Sequence, residues 1–170
     1  NGFSQEHEPL HVAEGIGEII ECLRDMAPPS DGPPHVRATG PGDSSYLRYD
    51  AQSTEEACRF IGEHTKDDKP WVLFLSLVCP HPPFMAPPEL FDLYDPAIVE
   101  MPQQWRKSEW PDHPALEHFR YRFNWDDALN EEEIRCAIIT YYAICSYTDR
   151  NVGQVSRALD TNQLTDSTRI

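Results

Sequence analysis

A chain of 170 residues, 39% hydrophobic and 25% charged, is long enough to bury a core, which excludes overall disorder and sets one domain as the first expectation. Its 14 Lys and Arg face 29 Asp and Glu, and the net charge of -15 excludes the basic footprint of a general nucleic-acid binder or a membrane-surface segment. No uninterrupted apolar run reaches the roughly 18 residues that would read as a membrane span.

The opening Asn1-Gly2-Phe3-Ser4 carries neither an initiator Met nor a charged-then-apolar leader, so the chain reads as the interior of something longer. Val12, Ile16, Ile19, Ile20 and Leu23 recur at helical spacing and predict a helix over 12–26, weakened by Gly15 and Gly17 and ended by Pro28-Pro29. Between Ala27 and Asp50 a mixture of Pro, Gly, Asp and Ser gives no periodicity and predicts a long loop. Ser53 or Thr54 is then expected to cap a helix of about three turns, with Glu55 and Glu56 in its first turn and Ala57, Phe60 and Ile61 on one face.

After a turn over 66–70, Trp71 to Val78 is the most hydrophobic run in the chain. Apolar on both faces and eight residues long, it predicts a strand of a parallel sheet covered on both sides. Helix, turn and two-sided strand in that order predict an α/β fold. Ten of the 16 prolines lie between Pro70 and Pro114, so loops are expected there, beginning with an irregular segment from Cys79 to Pro88 at the C-terminal end of the strand. Open α/β sheets place their ligands at that edge, which makes it the place to look for a site. Pro88 is expected to open a short helix over 89–94, and an aromatic region with Trp105, Trp110, His113, His118 and Trp125 follows. Asn130 caps a helix of about thirty residues, with Glu131, Glu132 and Glu133 in its first turn and Ile134, Ala137, Ile138, Tyr141, Tyr142 and Cys145 on a wide apolar face. Asp160 to Gln163 ends it, and Ser167 to Ile170 is expected to begin a further strand.

Cys22, Cys58, Cys79, Cys136 and Cys145 are an odd number without Cys-x-x-Cys spacing, so neither a disulfide framework nor a zinc site is expected. Cys79, Cys136 and Cys145 read as small hydrophobes, and the pattern leans toward a reducing, cytoplasmic compartment while leaving localisation open.

Pro80-His81-Pro82-Pro83-Phe84 after a two-sided strand, followed by Ala86-Pro87 and Phe91-Asp92-Leu93-Tyr94-Asp95-Pro96, resembles the middle of a sulfatase of the alkaline phosphatase superfamily. Tyr141-Tyr142-Ala143, Ser146-Tyr147-Thr148-Asp149, Val152-Gly153 and the tail from Leu159 to Arg169 strengthen the resemblance, which covers residues 51–170. It implies an α/β three-layer helix-sheet-helix core with a mostly parallel sheet. Within it, 1–50 would be a loop-rich lead-in, 51–78 a helix and core strand, 79–130 loops on the active-site side, and 131–170 the long helix and the start of the next strand. The implied reaction is hydrolysis of a small-molecule sulfate ester. The implied cofactors are formylglycine, made from the cysteine of a Cys-x-Pro-x-Arg motif, and a divalent cation, usually calcium.

Neither Cys-x-Pro-x-Arg nor an Asp-His-Gly segment occurs here, because Cys79 is followed by Pro80-His81. The nucleophile and the cation ligands are therefore expected outside these residues, and the isolated chain is expected to be inactive. Asp67-Asp68 and Asp126-Asp127 follow no apolar strand and read as a solvated turn and a helix start rather than metal sites.

What the resemblance leaves within the chain is His81, the post-strand histidine that sulfatases set against the sulfate and the ester oxygen, hence a catalytic and substrate-binding candidate. Negative charge builds on the leaving oxygen as the S–O bond breaks, and an imidazolium within hydrogen-bond reach stabilises or protonates it. Read from the residues alone, a loop histidine that packs on Pro82 and Phe84 or faces solvent is the plainer account. Trp105 and Trp110, with Trp125, are expected to line a substrate pocket, while His113 and His118 are explained by their surroundings and Asp149 by a structural helix-to-loop contact. Two alternatives stay open: a phosphonate or phosphodiester monoester hydrolase, whose central loop also reads Pro-His-Pro-Pro, and a non-catalytic interaction module on the same scaffold. Oligomeric state is left open.

Overall fold

The computed structural model describes residues 4–5, 12–13, 16–17, 38–65, 69–122 and 129–170. Near the N-terminus β1 (Val12–Ala13) and β2 (Ile16–Gly17) pair antiparallel, Val12 with Gly17 and Ala13 with Ile16. This overturns the helix that the spacing of Val12 and Ile16 predicts. Each glycine costs a helix about 1 kcal/mol relative to alanine, and a two-residue connection containing glycine suits a hairpin. The remainder of that predicted helix, with Cys22, lies outside the described residues.

The strand β3 (Gly40–Pro41) leads into helix α1 (Ser45–Glu63), whose N-cap Ser44 accepts the N–H of Leu47 through its hydroxyl at 3.2 Å. The helix thus starts about two turns before the Ser53 or Thr54 cap that the sequence predicts, and it absorbs the end of the predicted loop. Its buried stripe runs Leu47, Asp50, Thr54, Ala57, Ile61, alternating three and four residues apart. Two of those five positions are polar, so a search for apolar periodicity alone finds only the C-terminal half of the helix.

Residues 71–78 form neither helix nor strand and join no ladder among the described residues. Trp71 packs edge-on against Phe60 with ring centroids 5.5 Å apart. Alternate side chains are half-buried, whereas Val72 is 85% and Phe74 73% exposed, so the predicted cover on both faces is present on one. A strand needs neighbouring strands to take up its amides and its second face, and no strand among the described residues pairs with 71–78. Beyond the Pro-rich segment, β4 (Met85–Ala86) pairs parallel with β3, Gly40 opposite Met85 and Pro41 opposite Ala86.

Pro88 opens the short helix α2 (Pro88–Phe91) as predicted, and single 3-10 turns follow at Pro96–Ile98 and Lys107–Glu109. Helix α3 (Pro114–Arg122) occupies part of the aromatic region. The predicted long helix is α4 (Glu131–Thr161), opened by a capping box in which Asn130 accepts the N–H of Glu133 at 2.9 Å and Glu133 accepts that of Asn130 at 2.8 Å. It crosses α1 and carries Ala143, Ile144 and Tyr147 into a core completed by Leu47, Cys79 and Ala86. Ser167–Ile170 forms no strand among the described residues, and no described helix is long and apolar enough to cross a membrane. The result is a mixed α/β arrangement whose parallel pair and helices fit a portion of the expected core.

Candidate functional site

The segment carrying His81 is an arch held at both ends. At its start, the side chain of Asp50, fully buried in α1, accepts the N–H of Val78 at 2.8 Å through Oδ1 and that of Cys79 at 2.9 Å through Oδ2. From the other side Thr148 on α4 brings its hydroxyl within 3.1 Å of the Cys79 carbonyl, so the two backbone polar groups of Cys79 are held by different helices. At the far end the parallel pair takes over: Gly40 donates to the Phe84 carbonyl at 3.1 Å and Gly42 to that of Ala86 at 2.7 Å. Phe84 also meets Tyr141 of α4 edge-to-face, 6.0 Å between ring centroids.

Between these anchors His81 is exposed, its own N–H donating to the Val78 carbonyl at 3.0 Å and its ring set edge-on to Tyr46, 5.6 Å between centroids. Nδ1 lies 2.6 Å from the carbonyl oxygen of Pro82. A carbonyl only accepts, so Nδ1 carries a proton, and Nε2 is the nitrogen left to receive or donate one elsewhere. This is the arrangement a proton-transferring imidazole requires: one nitrogen fixed by the backbone, the other uncommitted, on a loop hydrogen-bonded at both ends.

Cys79, adjacent to the arch, is buried and free. Burial foremost, then the hydrogen bond and charge of Asp50, push its thiol well above the ordinary range, so it stays protonated and is a poor nucleophile. This suits the structural role expected of it. Among the described residues no three His, Cys, Asp or Glu side chains converge as cation ligands, and Asp50 has committed both oxygens to amides. The residues described therefore do not fit a calcium site. Asp67-Asp68, Asp126-Asp127 and Trp125 lie outside the described residues.

Trp105 and Trp110 belong to a different part of the surface. Arg106 lies 4.6 Å from the centroid of the Trp105 ring, Arg120 lies 5.3 Å from that of Trp110, and the Trp110 indole N–H donates to the Trp105 carbonyl at 3.4 Å. An open groove of about 710 Å³ is lined here by Met101, Gln104, Trp105, Arg106, Glu109 and Glu131. Glu131 is the first residue of α4 and Thr148 the arch's contact on it, an axial separation of about 25 Å at 1.5 Å per residue. The structure does not bring the two tryptophans together with His81. His113 accepts the N–H of Ala115 at the start of α3, and Asp149 is exposed on α4; the contacts from that part of α4 are made by its neighbours, Thr148 with the Cys79 carbonyl and Arg150 with Glu89 of α2 at 2.9 Å.

Sequence reasoning singled out His81 as a candidate and overlooked Asp50. The available signal was the spacing of Leu47, Asp50, Thr54, Ala57 and Ile61: an Asp on the buried stripe of a helix has to satisfy its oxygens, and strand-end amides are a natural partner.

Residues 13–170 match the family model described as Sulfatase. An arylsulfatase K from Gallus gallus is 27% identical over 157 residues, covering 82% of this chain and 29% of that protein. The chain thus spans less than a third of that relative's length. With the family match running over nearly all of its residues, the chain belongs to the sulfatase family.

Proposed function

We propose that this chain forms part of an enzyme that hydrolyses sulfate monoesters, and that His81 serves the leaving oxygen of the ester. The observation that carries the reading is the arch: a histidine exposed between two hydrogen-bonded anchors, with Nδ1 tied to the Pro82 carbonyl and Nε2 available. Membership of the sulfatase family supports a sulfate ester as the substrate class, and the arylsulfatase K relative supports an aryl or similar sulfate.

In this reading a protonated Nε2 meets the bridging oxygen as the S–O bond lengthens. The electron pair of that bond goes to oxygen, the imidazolium supplies the proton, the alcohol departs, and His81 is left neutral. The fixed Nδ1 to Pro82 contact keeps the ring from turning when the charge changes. Formylglycine and the divalent cation associated with the family would supply nucleophile and sulfate polarisation. The described residues provide no Cys-x-Pro-x-Arg cysteine and no ligand cluster for them, so no step here is routed through either.

The test is a leaving-group series on the whole enzyme. His81→Ala is expected to slow alkyl sulfates, with basic leaving oxygens, by about 10²–10⁴-fold while nitrophenyl sulfates fall far less, since general acid catalysis is worth most when the leaving group is basic. Equal losses for both would mean that His81 binds sulfate rather than donates a proton. The 170 residues alone are expected to show no sulfatase turnover, and measurable hydrolysis by them would overturn the placement of the nucleophile elsewhere.

A further inference from the structure

We propose that Asp50 is a positioning residue for His81, an inference that rests on the reading of His81 just given. Asp50 reaches the histidine only through Val78 and Cys79, which precede it by three and two residues and whose consecutive amides it accepts on separate oxygens at 2.8 and 2.9 Å. Two bonds to consecutive N–H groups restrict rotation of the peptide between them, which a single acceptor would not do. Thr148 takes the Cys79 carbonyl from the opposite side, so the backbone entering the arch is fixed in direction as well as in place.

Asp50 is placed rigidly enough to do this. It is fully buried in the middle of α1, one turn from Leu47, whose carbonyl accepts the hydroxyl of Tyr147 at 2.5 Å, and one turn from Thr54, whose hydroxyl donates to the Asp50 carbonyl at 2.7 Å. Ordinarily the amides at a strand end are met by a neighbouring strand; 71–78 joins no ladder among the described residues, and a helix side chain takes that role for Val78 and Cys79. Such a carboxylate touches neither substrate nor reacting atoms. Its effect reaches the chemistry through where His81 sits, and an ångström of displacement in a catalytic group costs about 10²-fold.

Asp50→Asn keeps the shape, retains one acceptor and sets an amide NH₂ against the second N–H. In the whole enzyme it is expected to lower kcat for alkyl sulfates by about 10- to 10²-fold with a much smaller loss for nitrophenyl sulfates, the same selectivity as His81→Ala. In the double variant Asp50→Asn/His81→Ala the two losses should not multiply, because Asp50 has nothing left to position. Ile61→Val, a buried change on the same helix, should leave the leaving-group dependence untouched. Losses that multiply, or that fall equally on both ester classes, overturn the positioning role and leave Asp50 a structural residue. A readout that needs no variant is amide hydrogen exchange: Val78 and Cys79 should be as protected as the centre of α1, and rapid exchange at both would overturn the inference. If His81→Ala itself shows no leaving-group selectivity, the reading of His81 fails, while the exchange data still report on the Asp50 grip.

Discussion

Tyr147→Phe removes one hydroxyl from the seam between α1 and α4 and leaves the shape of the side chain unchanged. Tyr147 is buried, and its hydroxyl donates to the Leu47 carbonyl at 2.5 Å. A neutral hydrogen bond nets about 0.5–1.5 kcal/mol, and a carbonyl has a second lone pair, so a loss near the middle of that range, about 1 kcal/mol, is expected at pH 7. In a chain of this size that lowers Tm by about 2–4 °C. The pH dependence is the sharper test. Burial foremost, with the charge of Asp50 adding to it, holds the phenol above its ordinary value. An acid whose pKa is raised by folding contributes stability that is complete below its unfolded pKa and is lost as pH rises through the folded one. For Tyr147 that loss begins near pH 10, the ordinary phenol value. The Phe variant has no such group. Its deficit should therefore be constant from pH 7 to 9 and shrink above about pH 10, while the raised thiols of Cys79 and Cys58 affect both proteins alike and cancel. Urea unfolding followed by circular dichroism at pH 7, 9 and 10.5 measures it. A deficit that widens with pH, or one above about 3 kcal/mol at pH 7, would refute the assignment of the effect to a buried hydroxyl.

Two further substitutions probe the frame around the arch. Asn130→Ala breaks the capping box of α4 and is expected to cost about 0.5–2 kcal/mol, seen as a lower Tm and as faster amide exchange confined to the first turn of that helix. Gly40→Ala should cost about 1–3 kcal/mol, because Gly40 has φ of 138°, a region that side-chain-bearing residues rarely enter. Space is not the obstacle, since an added Cβ would meet the Cys136 sulfur at 3.9 Å. Gly42→Ala, opposed only by the flexible tip of Met85, is expected to cost less in the same denaturation assay.

What the sequence disclosed follows the strength of each local signal. Helix α4 was legible from end to end because an N-cap Asn, three glutamates in the first turn and a wide apolar face all point the same way. Helix α1 was legible only from Ser53 or Thr54 onward, since the polar Asp50 and Thr54 occupy buried positions of its stripe and interrupt the apolar spacing toward Leu47. The run from Trp71 to Val78 predicts a strand through its apolar character, but a ladder is a property of two strands, and composition cannot name a partner. His81 became a candidate through the order of motifs around it. The separation of Trp105 and Trp110 from the arch was invisible because aromatic residues near one another in sequence carry no information on which end of a long helix they meet.

The arch is held by side chains of two helices at one end and by a two-residue parallel pair at the other, so the position of His81 depends on the packing of α1 against α4 as much as on any sheet. Asp50 and Leu47 lie one turn apart on α1; Thr148 and Tyr147 are consecutive on α4. The hydrogen bond that joins the helices and the hydrogen bonds that grip the backbone at Val78 and Cys79 are therefore neighbours in one network, and residues in such a network do not contribute independently. This also accounts for a net charge of -15 in a protein whose proposed substrate is an anion. The acid nearest the arch, Asp50, is buried and committed to two amides, and Glu89 at its downstream side is paired with Arg150. Whole-chain charge opposes a polyanionic partner, whose field is felt over many residues, but a small sulfate ester responds to the few groups within a Debye length, about 8 Å, of where it sits.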